Sequence, residues 1–278
     1  MTAKRETERV QPTEVRAQGD IIRIEHAGPS TDPTLGVVIN ADCDLANRKL
    51  DGVIAYLPMY PFKDYLARFW APGYIAEVRD QATSKVIKAL GDEGHAAENL
   101  HAWIATAGAD EVGSALAKSP KLKRSQITGL VHDIRRLAIA LEDEVDPFSR
   151  FLALCRVEPD GPAYTRTHLS SARKAMGEGH FQISDLVEHP DIGFVIRMRR
   201  IYTIAEGLCF RSQAEQLACS GGAETTAVRI GRLTELYRFK VAQLFAQQFS
   251  RIGLPDEITA LGTLAIEDIA SEVAKDTA

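Results

Sequence analysis

The sequence has no unbroken apolar run near the roughly 20 residues that a membrane-spanning helix needs, so neither a transmembrane segment nor a membrane partner is expected. Its opening stretch, MTAKRETERVQPTE, is charged and lacks the apolar centre of a secretory signal, so export is not expected. Cysteine is scarce. Cys43, Cys155, Cys209 and Cys219 are scattered with no CxxC pair, which argues against a disulfide scaffold or a zinc site and fits a reducing cytoplasm. Neither charge dominates: 33 Lys and Arg against 38 Asp and Glu give a net charge of −5. A globally basic nucleic-acid binder is disfavoured, although a local basic patch is not. GxSxG, HExxH and P-loop patterns are missing, and Gly221-Gly222 alone is too short to cradle a phosphate. No internal repeat is visible. What is present is a chain of 278 residues, 45% hydrophobic and 26% charged, enough for one large domain or two small ones with a sizeable core.

The hydrophobic period changes along the chain. Residues 1–17 are polar and read as a frayed lead-in. Strands are expected near 20–24, 36–40 and 53–57, the last ended by Pro58, which cannot donate to a ladder. From Pro61 the spacing turns helical, with Phe62, Tyr65, Leu66 and Phe69 forming a turn or two. Helices are expected at 75–90, 96–107, 110–118 and 123–143. The last carries an apolar stripe of Ile127, Leu130, Val131, Ile134, Leu137, Ala138 and Leu141, opposite Lys123, Arg124, Arg135 and Arg136. Residues 151–157 and 194–204 read as strands, the second with one slip of period such as a bulge produces. Long helices are expected at 224–249 and 256–275, separated by Gly253 and Pro255. The expected fold is α+β: a small β-barrel from residues 18–60 and 148–222, a helical insertion at 61–147, and C-terminal helices at 223–278. The 224–249 helix would outrun a small barrel, so its apolar face needs cover from residues 123–143 and 256–275, from a second copy in a homodimer, or from another protein partner.

Two resemblances add expectations. Gly19-Asp20-Ile21, the Gly/Pro-rich loop at 27–34, Val37-Val38-Ile39-Asn40 with Asp42, and Val53 to Pro58 resemble the first half of the MazF/PemK family of toxin endoribonucleases. The resemblance covers residues 18–58 and implies an SH3-like barrel. Where that family opens its second strand with Arg-Pro, this chain has Leu35-Gly36, and the family is about half as long. The strand Val37–Asn40 followed by Asp42-Cys43-Asp44, together with Phe249-Ser250-Arg251-Ile252-Gly253-Leu254-Pro255 near the other end, resembles a group of bacterial proteins, several of them encoded in defence-type neighbourhoods, whose shared pattern implies no activity.

Asp42-Cys43-Asp44 is the sharpest local cluster. In a strand the two carboxylates would share one face and Cys43 the other. The pair suits a hard cation or acid–base work; alternatively Cys43 packs inside and both aspartates cap the following turn. As a thiol nucleophile Cys43 is disfavoured, because flanking carboxylates oppose the formation of a thiolate. A MazF-type ribonuclease would draw on Arg23, Asp42 and Asp44 as its catalytic candidates. Arg197, Arg199, Arg229 and Arg232 are the candidates for contact with RNA phosphates; the alternative is ion pairing with Glu206, Glu215 and Glu235, or a solvated face. Arg251 reads as a cap on helix-end carbonyls or as a ligand contact. His95, His101, His168, His180 and His189 lack metal-ligand spacing and read as surface or loop residues. No metal and no cofactor is expected. Three functions compete: an accessory or sensing protein of a bacterial defence or stress locus acting through partner contacts, a toxin-type endoribonuclease acting on RNA, and a small-ligand or metal binder at the Asp-Cys-Asp turn.

Overall fold

The computed structural model describes residues 5–47, 49–90, 97–118, 122–249 and 264. In chain order the elements are β1 (Thr7–Glu8), β2 (Asp20–His26), β3 (Leu35–Val38), α1 (Asp42–Asn47), β4 (Val53–Pro61) and α2 (Phe62–Tyr65). A π-helical turn, Leu66–Trp70, leads into α3 (Ala71–Leu90), followed by α4 (Ala97–Ala107), α5 (Ala109–Ala117), α6 (Arg124–Ala140), α7 (Pro147–Val157) and α8 (Gly161–Ala175). Then come β5 (His180–Asp185), β6 (Ile192–Arg197), β7 (Tyr202–Ala205), a 3-10 turn (Glu206–Leu208), β8 (Cys209–Phe210), α9 (Gln213–Cys219), β9 (Thr225–Leu233) and α10 (Glu235–Phe249). None of the described helices is long and apolar enough to cross a membrane. The α+β class is as expected. The chain forms two compact units, one from residues 1–58 and 197–278, the other from 59–196.

The first unit is a nearly closed, mostly antiparallel barrel. β2 pairs with β3 (Ile21↔Val37) and with β9 (Ile24↔Ala227), with a bulge between Ile21 and Ile22. β4 pairs with β7 (Ile54↔Ile204). The same run then crosses through the 3-10 turn to β8, which lies parallel to β9 (Cys209↔Ala227). One continuous stretch, 202–210, thus links β4 to β9. Ile22, Ile24, Val38, Ile54, Tyr56, Ile204 and Ala227 fill the interior. Burial of each large aliphatic chain there stabilises the fold by about 1.5–3 kcal/mol. Gly36 is required by close approach: a Cβ on it would run into the Tyr56 ring.

The second unit is mainly helical. Ile134 and Leu137 of α6, Val86 of α3, Leu100 and Ile104 of α4 and Val112 of α5 form one apolar cluster. Phe148, Phe151 and Cys155 of α7 pack with Leu66, Ala71 and Ala172 in another. The end of β4 pairs with β6 (Tyr60↔Val195) beside them.

Five expectations are corrected. Residues 151–157 are helical, because Asp146 accepts hydrogen bonds from the Phe148 and Ser149 backbone N–H groups (3.1 and 3.0 Å) and Pro147 occupies the first turn. Residues 225–233 are a strand rather than the start of a long helix, since Thr225, Thr226, Val228 and Ile230 are β-branched and β2 hydrogen-bonds along the whole segment. Residues 194–204 are two strands parted by a turn. Pro58 does not end β4; it falls between residues 53–56, paired with β7, and 59–61, paired with β6, where no ladder donor is required. The lead-in is also part of the fold from residue 5 onward: Thr7 is fully buried and pairs with Leu233. Of the expected helix at 256–275 only Leu264, helical and exposed, is described; the rest, with Arg251 and Pro255, lies outside the described residues.

Candidate functional site

The residues singled out from the sequence are mostly engaged in holding the barrel. Arg229 is 7% exposed on β9, not on a helix. Its guanidinium donates to the carbonyls of Gln11, Glu14 and Val15 (2.9, 3.0 and 3.1 Å) and pairs with Asp20 at 3.3 Å. Arg232, three residues on, meets the other Asp20 oxygen at 2.6 Å and the Val15 carbonyl at 2.9 Å. Alternation along a strand would put Arg229 and Arg232 on opposite faces. The bulge opposite Ile21 and Ile22, where Ile230 is the extra residue, shifts that alternation by one and brings both to one carboxylate. These arginines tie the N-terminal segment to the barrel; their partners are Asp20, main-chain carbonyls and, for Arg232, Glu14, none of them the glutamates expected. Arg23 pairs with Glu25 at 2.9 Å on the exposed side of β2. Arg199 donates to Gln248 at 3.1 Å, and Arg197 is half-buried with contacts of its own.

Asp42-Cys43-Asp44 opens helix α1 and is not a strand. Asp42 accepts from the Gln18 backbone N–H at 2.7 Å and from Arg238 at 3.2 Å. The Cys43 thiol, expected inside, is exposed and lies 3.6 Å from Asp44 Oδ1. Among the described residues no group of three or more His, Cys, Asp or Glu is placed to hold a metal ion.

The structure assembles a different site in the helical unit. The π-turn swings Trp70 to the head of α3, where it stacks on Tyr74 (centroids 4.9 Å apart, planes at 20°) and presents its edge geometry to Phe151 (4.9 Å, 85°). Inserted π-turns of this kind recur at functional sites. From α8, His168 packs against Tyr164 at 4.2 Å and edge-on against Tyr74 at 5.0 Å. Asp160 sets the start of α8 by accepting from the Ala163 N–H at 3.0 Å. The Tyr74 and Tyr164 hydroxyls hydrogen-bond to each other, and Arg136 of α6 donates to the Tyr164 oxygen at 3.1 Å. Arg136 is held in turn by Glu158 at 3.2 Å and Asp133 at 4.0 Å, and the second Glu158 oxygen meets His132 at 3.3 Å. Trp70, Tyr74, Tyr164, His168 and Arg136 line a cleft of about 350 Å³ together with Glu77, Val78, Gln81 and Ser171.

Burial, reinforced by the bond to Tyr164, drives the Tyr74 pKa far upward, so its hydroxyl keeps its proton. Burial, and then the Arg136 charge, lower the His168 pKa from 6.5, so the imidazole is neutral at pH 7. The cleft therefore offers two phenols, a neutral imidazole, an amide and a hydroxyl beside aromatic faces. Its one lining guanidinium is already matched by carboxylates, while Glu77 stands at the rim, hydrogen-bonded by Gln81 at 2.8 Å. Such a lining favours a neutral or cationic planar molecule over an anion. His168, expected on the surface or in a loop, is half-buried on a helix. The missed signal was a pair of aromatic spacings, Trp70 with Tyr74 and Tyr164 with His168, each four residues apart and hence on one helix face. In comparisons with known proteins, no family model, curated protein or solved structure matches the chain.

Proposed function

We propose that this is a sensing protein that binds a small planar nitrogen heterocycle in the Trp70–Tyr74–Tyr164–His168 cleft, and that its other unit is a barrel of the SH3-like kind. The observation that carries the reading is the cleft itself: aromatic walls, both donors and acceptors, and a cation that is already neutralised. The 3-10 turn joining the strand on β4 to the strand on β9 supports the SH3-like reading of the barrel. The sensing role, with action through a partner, follows the expectation from the sequence. Ribonuclease action has little in its favour, since Arg229 is buried and Arg23, Arg232 and Asp42 are each paired.

The test uses Trp70 as reporter. Trp103→Phe removes the other tryptophan, which is 38% exposed. This protein is titrated with purine and pyrimidine nucleosides and other planar heterocyclic amines while Trp70 emission and melting temperature are read. At least one compound should quench Trp70 and raise the melting temperature, and His168→Ala should abolish both. A panel with no response, or a response unchanged in His168→Ala, refutes the proposal.

A further inference from the structure

A second concavity in the helical unit lies where α4, α5, α6 and α7 meet, with a volume of about 920 Å³. Its floor is apolar: Ile104, Ala138, Ile139, Val145 and Val157 line it, and Val145 and Val157 are 38% and 36% exposed. Its rim is acidic. Asp110, Glu142, Asp143 and Glu144 stand around it against one guanidinium, Arg135, which Asp110 already binds at 3.0 Å. Arg150 reaches Asp143 at 2.9 Å from below, but its own side chain is only 10% exposed, so outward-facing charge stays negative.

We infer that this groove docks a basic amphipathic segment of a partner protein, its apolar residues seated on the Ile139–Val145–Val157 floor and its lysines or arginines against Glu142 and Glu144. A helix laid in an apolar groove presents anchors three and four residues apart, and flanking cations then meet a carboxylate rim. Charge argues against this chain's own C-terminal stretch as the occupant. Residues 250–278 carry Asp256, Glu257, Glu267, Asp268, Glu272 and Asp276 against only Arg251 and Lys275, and an acidic rim would repel them. The inference is independent of what the aromatic cleft binds.

The probe is a phage-displayed library of random dodecapeptides, selected on the full-length protein. An enriched peptide is then remade with fluorescein and its binding followed by anisotropy. Enriched sequences should combine large apolar residues at i and i+3 or i+4 with excess Lys and Arg. Binding should weaken with salt, and by about tenfold or more in Glu142→Lys/Glu144→Lys and in Val145→Lys. All three positions are exposed, and circular dichroism checks that each variant remains folded. Absence of enrichment, enrichment of neutral or acidic peptides, or equal binding to wild type and variants overturns the inference. So does sedimentation showing a dimer that Val145→Lys dissociates, which would give the groove to a second copy of this chain.

Discussion

Replacing Asp20 by alanine is the severest single test of how the barrel is held. Its side chain is 2% exposed and receives Arg232 at 2.6 Å, Arg229 at 3.3 Å and the Ala17 backbone N–H at 3.0 Å. Alanine leaves the Arg229 guanidinium, 3% exposed, as a buried charge with only carbonyls to face. Breaking a buried pair from one side costs about 3–5 kcal/mol, a large part of the roughly 5–15 kcal/mol that holds a domain folded. With a urea slope of about 2 kcal/mol per molar, the midpoint should fall by roughly 2 M. Both tryptophans lie in the helical unit, so the reporter has to be Cys209, buried in the barrel. In a Cys43→Ser/Cys219→Ser background, pulsed alkylation with peptide mapping reads Cys209 for the barrel and Cys155 for the helical unit at each urea concentration. Cys209 should become reactive at lower urea while Cys155 does not move. Glu14→Ala is the control: its carboxylate is 46% exposed and 3.6 Å from Arg232, so it should cost about 0–1 kcal/mol. Adding Arg229→Met to Asp20→Ala should restore part of the loss, because it removes the stranded charge. A cost for Asp20→Ala of about 1 kcal/mol or less, or one equal to that of Glu14→Ala, would refute the reasoning.

In the native protein Cys43 and Cys219 should react with a thiol reagent, whereas Cys155 and Cys209 should react only on unfolding; both are buried, and burial raises the Cys155 pKa and pushes that of Cys209 up to about 11. Rapid native labelling of Cys209 would contradict the barrel core. His168 titrates lower in the fold than its ordinary 6.5, so the unfolded chain takes up the proton first. Stability of the helical unit should therefore be lost as pH falls below 6.5 towards the depressed folded value, a loss read by tryptophan fluorescence on melting and removed by His168→Phe. Gly36→Ala should destabilise the barrel by about 1–3 kcal/mol through its clash with Tyr56, and Tyr56→Leu should relieve part of that; a neutral Gly36→Ala would show that the ring can move aside.

Local signals in the sequence were sufficient for much of the framework. The β-branched runs at Ile21–Ile24, Val37–Val38 and Val53–Ile54 became β2, β3 and β4, and the stripe through Leu130, Ile134 and Leu137 became the core face of α6. Each reading rests on a period that a strand or helix imposes on its own neighbours. Segments without a clear period were settled elsewhere. Phe151–Val157 is apolar almost throughout and reads equally as strand or helix; the cap at Asp146 and burial between α3 and α8 made it α7. Thr225–Leu233 became a strand because β2 was there to pair with it. The roles of side chains depended still more on tertiary structure. Arg229 and Arg232 look like a cationic strip until Asp20 and the carbonyls of residues 11–15 close around them. The cleft draws Trp70 and Tyr74, Arg136, and Tyr164 and His168 from three separate helical stretches. Neutralisation of Arg136 by Glu158 and the lowered pKa of His168 arise only once those stretches pack, because charge pairing and desolvation are properties of distance and burial, which the order of residues along a chain does not specify.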